Sequence, residues 1–244
     1  MFEKMSSVFF TWRNFDKNSL KDEDFHANRI VKSRFYVVGL VLFLVVNNFL
    51  MYFYSKGAFP VDYIFFYLHV FFALHIICAV LFLPYPPNVY GFNFNKPKRS
   101  FRMIFFVGII LVTTAISVRV YLIYKGHDQF KIHQFLLTRD AYKYVTYYPL
   151  SALLQEAVTK GFFQSFFFSL FSDSQPRFKR VLAIGCSSLL FAQCHLALGL
   201  VVYLASLVLS IILGYVYEDS RSLFAVTVLH YLTGVTLFFL TNTV

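Results

Sequence analysis

Glu156 stands inside an otherwise hydrocarbon-like run, with Gln155 beside it and Lys160 one helical turn further on. A carboxylate or an ammonium at bilayer depth costs about 2.5–3.5 kcal/mol on insertion scales, so a chain keeps such groups there for a use. Four residues apart, Glu156 and Lys160 share one face of an α-helix and can pair, which offsets part of that cost. A self-neutralising pair and a catalytic centre both fit this spacing. Further along, His195 and His230 each stand in an apolar segment of their own. A glutamate that faces two imidazoles can activate a water: the carboxylate takes its proton and one imidazole orients it. The second imidazole can donate to the oxyanion that develops on an attacked carbonyl. These roles require three separate elements to converge.

Those elements are membrane helices. The 244 residues are 58% hydrophobic and 21% aromatic, with 33 phenylalanines and only 14% charged residues. Mean hydropathy is +0.62. Soluble domains carry nearer a quarter charged residues, so the composition points to an integral membrane protein. Apolar stretches of about 20 residues can cross a bilayer as helices. The pattern predicts about seven spans, near 35–54, 62–83, 103–124, 145–170, 181–198, 200–217 and 223–241, in an all-α polytopic bundle. Residues 1–34 form a polar N-terminal segment, 35–142 the first membrane helices and loops, and 143–244 the part that carries the candidate chemistry. The N-terminal segment is either an interfacial helix around Phe9, Phe10, Trp12 and Phe15 or a solvated tail. No cleavable signal peptide is expected, because the first apolar run continues at spanning length.

Charge sets the expected orientation. With the N-terminus inside, inner segments hold 15 Lys and Arg and outer segments 5, a bias toward a cytoplasmic N-terminus. The formal net charge of +10 is explained by basic residues beside apolar spans, which suit anionic lipid and topology; nucleic acid is not an expected partner. An integral protein of a plasma membrane, or of a bacterial inner membrane, is the expected setting.

Other polar groups receive simpler readings. His69 and His75 lie on different helix faces and read as packing residues, whereas His127 and His133 fall in a polar loop. Arg119 is placed to snorkel, and Asn47 and Asn48 to make interhelical hydrogen bonds. Cys78, Cys186 and Cys194 lack metal or redox spacing and read as small apolar fillers. Glu156, His195 and His230 could ligate zinc, but no HExxH helix accompanies them, so the expectation is no metal and no cofactor. A small transporter would also explain intramembrane charge; it predicts repeated halves, and the sequence shows none.

Taken together, the motifs resemble the CAAX protease and bacteriocin-processing group, also called CPBP or Abi, polytopic intramembrane proteases with a glutamate-dependent mechanism. The group's EExxxRG motif reads here Gln155-Glu156-Ala-Val-Thr-Lys160-Gly161. Its FxxxH motif is Phe191-Ala-Gln-Cys-His195, and its HxxxN motif is His230-Tyr-Leu-Thr-Gly234, preceded by Gly214 and a Ser222-Leu223 turn. The resemblance covers about 145–240 and departs at three places: Gln155 for glutamate, Lys160 for arginine and Gly234 for asparagine. A glutamine cannot take a proton from water, and a lysine lacks the guanidinium fork. The resemblance implies an endopeptidase acting on a membrane-embedded or membrane-delivered peptide. It makes Glu156 the base, His195 the group that orients water and His230 the group that polarises the carbonyl. Gln155, Lys160 and Phe191 would support them. The alternative is a catalytically inactive relative that acts as a membrane scaffold, regulator or immunity protein.

Overall fold

The computed structural model describes residues 37–50, 52–53, 61–82, 90–92, 97–125, 139–171, 174–196 and 199–241. These residues are helical apart from short turns, and no strand occurs among them. The N-terminal segment 1–34 and the loop with His127 and His133 lie outside them.

The chain divides into two compact units, 1–86 and 87–244. The first contains α1 (Val37–Leu50) and α2 (Val61–Phe82). Phe43 of α1 is buried and packs its ring against Phe71, Phe72 and His75 of α2. His75 is therefore a packing residue, as its sequence context implied. Asn47 corrects the expectation of an interhelical bond: it is buried, yet among the described residues neither atom of its amide has a hydrogen-bond partner.

The second unit contains α3 (Pro97–Tyr124), α4 (Arg139–Glu156), a π-helical segment π1 (Ala157–Gln164), α5 (Ser165–Leu170), α6 (Pro176–Gln193), α7 (Leu200–Ser220) and α8 (Leu223–Thr241). The C-terminal helix α8 packs on α3, α4 and α7, while π1 and α5 pack on α6. The spans expected from hydropathy fall on these helices. Two of them, Pro97–Val118 and Leu200–Ser220, are long and apolar enough to cross a bilayer by themselves; Val37–Leu50 and Leu223–Thr236 are shorter apolar helices. On α3, Phe101, Phe105, Phe106, Ile109 and Ile110 turn outward. An apolar exterior of that kind suits hydrocarbon, where satisfied helical backbone is required.

Local sequence sets the helix ends. Gln175 is extended (φ −54°, ψ 144°) and Pro176 opens α6, since its fixed φ and missing N–H fit a first helical position. At the other end of α6, the Cys194 and His195 amides bond back three residues to Phe191 and Ala192 at 3.2 and 2.8 Å. This tighter turn ends the helix at Gln193 and lifts His195 out of it, earlier than the expected 181–198 span. Between α7 and α8 the corner is two residues long. Arg221 adopts a left-handed conformation (φ 51°), and the Ser222 hydroxyl accepts the Ala225 amide at 3.3 Å as an N-cap.

Basic residues gather around this corner. Arg99, at the start of α3, donates through Nε to Asp219 at 2.7 Å and also pairs with it through Nη2. Arg221 pairs with Glu218 and lies over the ring of Phe168, and Lys179 reaches the same ring. Arg180 covers Tyr215. One end of the second unit therefore carries cations drawn from α3, α6 and the α7–α8 corner.

Candidate active site

Glu156 is the last residue of α4 and is fully buried. His230, 74 residues later on α8, places Nδ1 2.8 Å from Glu156 Oε1. The imidazole is itself 2% exposed, so the pair sits away from solvent. With Glu156 ionised, a carboxylate only accepts, and His230 donates its Nδ1–H. The other carboxylate oxygen, Oε2, is buried with no hydrogen-bond partner among the described residues, and neither is Gln155 Oε1 bonded among them. A buried acceptor left open on the carboxylate is suited to a water or to a substrate N–H, either of which would satisfy it.

His195 completes the cluster from the turn after α6. Its Nδ1 lies 3.0 Å from the Phe191 carbonyl oxygen, which can only accept, so Nδ1 carries the proton and Nε2 keeps a lone pair when the ring is neutral. Phe191 stands between the two histidines: its ring centroid is 4.8 Å from that of His195 and 5.3 Å from that of His230. The structure thus brings Glu156, His195, His230 and Phe191 together from three elements, α4, α6 with its terminal turn, and α8. Among the described residues no group of three His, Cys, Asp or Glu side chains has an arrangement that would hold a metal ion.

Lys160 does not pair with Glu156, and this corrects the reading from helical spacing. The backbone changes to π-helix immediately after Glu156, so the rings close at i+5 and residue 160 no longer stacks over 156 as it would in an α-helix. Lys160 turns instead toward α6 and α7. Its Nζ donates to the Ser210 hydroxyl at 2.6 Å, the Ser210 carbonyl at 2.8 Å and the Ser188 hydroxyl at 3.4 Å. An ammonium has three protons, and here each has an acceptor, which is what allows a fully buried lysine to be kept. Four residues on, Gln164 donates to the Gly214 carbonyl at 3.1 Å and accepts from the Ser187 hydroxyl at 3.4 Å. Two polar clamps therefore tie π1 to its neighbours and fix where Glu156 is presented.

Sequence reasoning missed Gln164, Ser187, Ser188 and Ser210. The signal was present in α7, where Ser206, Ser210 and Gly214 recur every four residues, a small-residue stripe that lets another helix approach closely. Gly161 meets a similar demand. A Cβ there would come 3.0 Å from the Tyr90 carbonyl oxygen, and the Tyr90 ring packs tilted against Phe162 with centroids 4.4 Å apart.

Gly234 lies one turn after His230 on α8, where the motif resemblance expects asparagine. A Cβ at this position would collide with the hydroxyl and ring of Tyr148 from α4. Tyr148 in turn sets its ring edge-on to His230, at 5.7 Å between centroids and 84° between planes. The space beyond His230 is thus occupied by a phenol from another helix.

No curated protein and no solved structure matches the chain. Residues 138–236 match the family model of the type II CAAX prenyl endopeptidase Rce1-like proteins, a span that contains every residue of the cluster. Over this region the chain is similar to that Rce1-like protease family, in agreement with the resemblance its three motifs carry.

Proposed function

We propose that the protein is an intramembrane endopeptidase that hydrolyses a peptide bond in a membrane-associated substrate, with Glu156 as general base. The observation that carries this reading is the buried Glu156–His230 bond at 2.8 Å, with the second carboxylate oxygen left unbonded beside it. Glu156 Oε2 takes one proton from water, while His195 Nε2 accepts a hydrogen bond from the remaining O–H and holds the oxygen in line. The hydroxide adds to the scissile carbonyl carbon, and its oxygen becomes an oxyanion stabilised on the His230 side of the site. Collapse breaks the C–N bond, and the proton held by Glu156 passes to the leaving nitrogen. One water is consumed, and a carboxylic acid and an amine are released. Gln155 supports the water by hydrogen bonding, and Lys160 supports Glu156 indirectly by anchoring π1.

The description of the matched family makes a prenylated peptide with a C-terminal CAAX tetrapeptide the first probe. The bilayer is the expected partner, and the charge bias, with Arg99, Lys179, Arg180 and Arg221 collected at one end, supports a cytoplasmic placement of that end. The test is reconstitution of the full chain in phospholipid vesicles with a farnesylated CAAX peptide. Cleavage by the wild type that is lost in Glu156→Gln and in His195→Ala, with both variants inserted normally, supports the reading. Cleavage that survives in both variants overturns it.

A second reading rests on the departures at Gln155, Lys160 and Gly234. Lys160 donates its hydrogen bonds to serines while the carboxylate bonds to His230, which is compatible with a non-catalytic relative that binds a membrane protein. That reading requires the wild type to leave the peptide intact.

A further inference from the structure

We propose that Tyr148 is a catalytic residue of this site: its hydroxyl donates a hydrogen bond to the oxyanion on the scissile carbonyl. This deepens the endopeptidase reading above and rests on it. Four observations carry it. Tyr148 and Glu156 are eight residues apart on α4, within one broad helix face. The Tyr148 ring stands edge-on to His230, whose Nδ1 is committed to Glu156. Its hydroxyl presses against Gly234, so it fills a space open only because that residue has no side chain. Tyr148 is also partly exposed, whereas Glu156 and His230 are buried.

The chemistry follows from counting protons. A neutral imidazole has one N–H, and His230 gives it to the carboxylate, so its Nε2 has none for an oxyanion. Glycine at 234 supplies no side-chain donor either. A phenol O–H is a competent oxyanion donor, and it keeps its proton throughout, so no further group has to be charged or discharged. Polar α4 residues N-terminal to Glu156 thereby become part of the site.

The experiment compares Tyr148→Phe with wild type, Glu156→Gln and the exposed control Tyr147→Phe, each as the full chain in vesicles with the farnesylated CAAX peptide. Phenylalanine keeps the ring against His230 and removes one oxygen. The expected result is a kcat lower by about 100- to 1,000-fold with KM little changed, as for loss of a single oxyanion donor. Affinity for a peptide aldehyde, whose hydrate is tetrahedral, should fall in parallel with kcat/KM, a change that a purely structural role would not produce. Tyr147→Phe should match the wild type. An unchanged kcat in Tyr148→Phe beside an inactive Glu156→Gln overturns the role of Tyr148 alone. A peptide left intact by the wild type, or cleaved by Glu156→Gln, overturns the endopeptidase reading and this role with it.

Discussion

Lys160 holds both oxygens of Ser210, the hydroxyl at 2.6 Å and the carbonyl at 2.8 Å, across 50 residues of sequence. The contact fastens π1 to the middle of α7 and gives the buried ammonium most of its hydrogen bonding. It also means that the charge four residues from Glu156 is spent on architecture.

Removing the Ser210 hydroxyl should therefore destabilise the protein. Ser210→Ala leaves one ammonium proton without an acceptor in a dry site, at a cost of about 1–3 kcal/mol. Thermal unfolding in detergent should show a clear loss, with a smaller one for Ser188→Ala, whose bond is 3.4 Å long. A melting temperature that does not move in Ser210→Ala would mean that Lys160 finds its partner elsewhere.

Glu156 and His230 should behave as one unit. Glu156→Gln is expected to lower kcat by about 100- to 10,000-fold, the range for loss of a general base. Adding His230→Ala should cost far less than it does alone, because residues that act together are not additive. Single-turnover cleavage rates of the two variants and the double variant measure this. Simple multiplication of the two losses would show that the 2.8 Å bond has no part in the reaction.

Gln155→Glu should preserve or raise activity. The position has an unbonded buried oxygen, and a carboxylate offers the same acceptor along with a second proton site beside Glu156. Rates of peptide cleavage at saturating substrate are the readout. A large drop would assign the amide group a role that an acceptor alone does not fill.

Two glycine replacements separate packing from helix propensity. Alanine is a better helix former than glycine by about 1 kcal/mol, so propensity alone predicts a gain at each. Gly185, with nothing within 4 Å of an added Cβ, should tolerate alanine with an unchanged or higher melting temperature. Gly161→Ala should lower it, because the new methyl lies 3.0 Å from the Tyr90 carbonyl oxygen, a backbone atom that cannot easily yield. Equal behaviour of the two variants would rule out the close approach of Tyr90.

Much of the molecule is legible in the residues themselves. The apolar stretches, the basic segments between them and the three polar positions Glu156, His195 and His230 depend on side-chain type and local period, which a single chain displays directly. Their order and spacing also carried the family resemblance, and the matching family model covers the same region. The start of α8 at Leu223, after the Ser222-Leu223 turn, fell where the 223–241 span was expected, whereas α6 opens at Pro176, ahead of the expected 181.

The partnerships inside the site were decided by tertiary structure. From sequence, Lys160 is the natural partner of Glu156, since an α-helix places residues four apart side by side. A π-helical segment beginning at Ala157 changes that register, and packing against α6 and α7 offers the lysine oxygen atoms instead. Glu156 then meets His230 from 74 residues away, and Tyr148 reaches the place left by Gly234. Residue type and hydropathy are properties of the chain at one place, and sequence alone determined them. Which donor reaches which acceptor depends on backbone register and on how closely helices can approach, and only the folded arrangement of α4, π1, α6, α7 and α8 decided that.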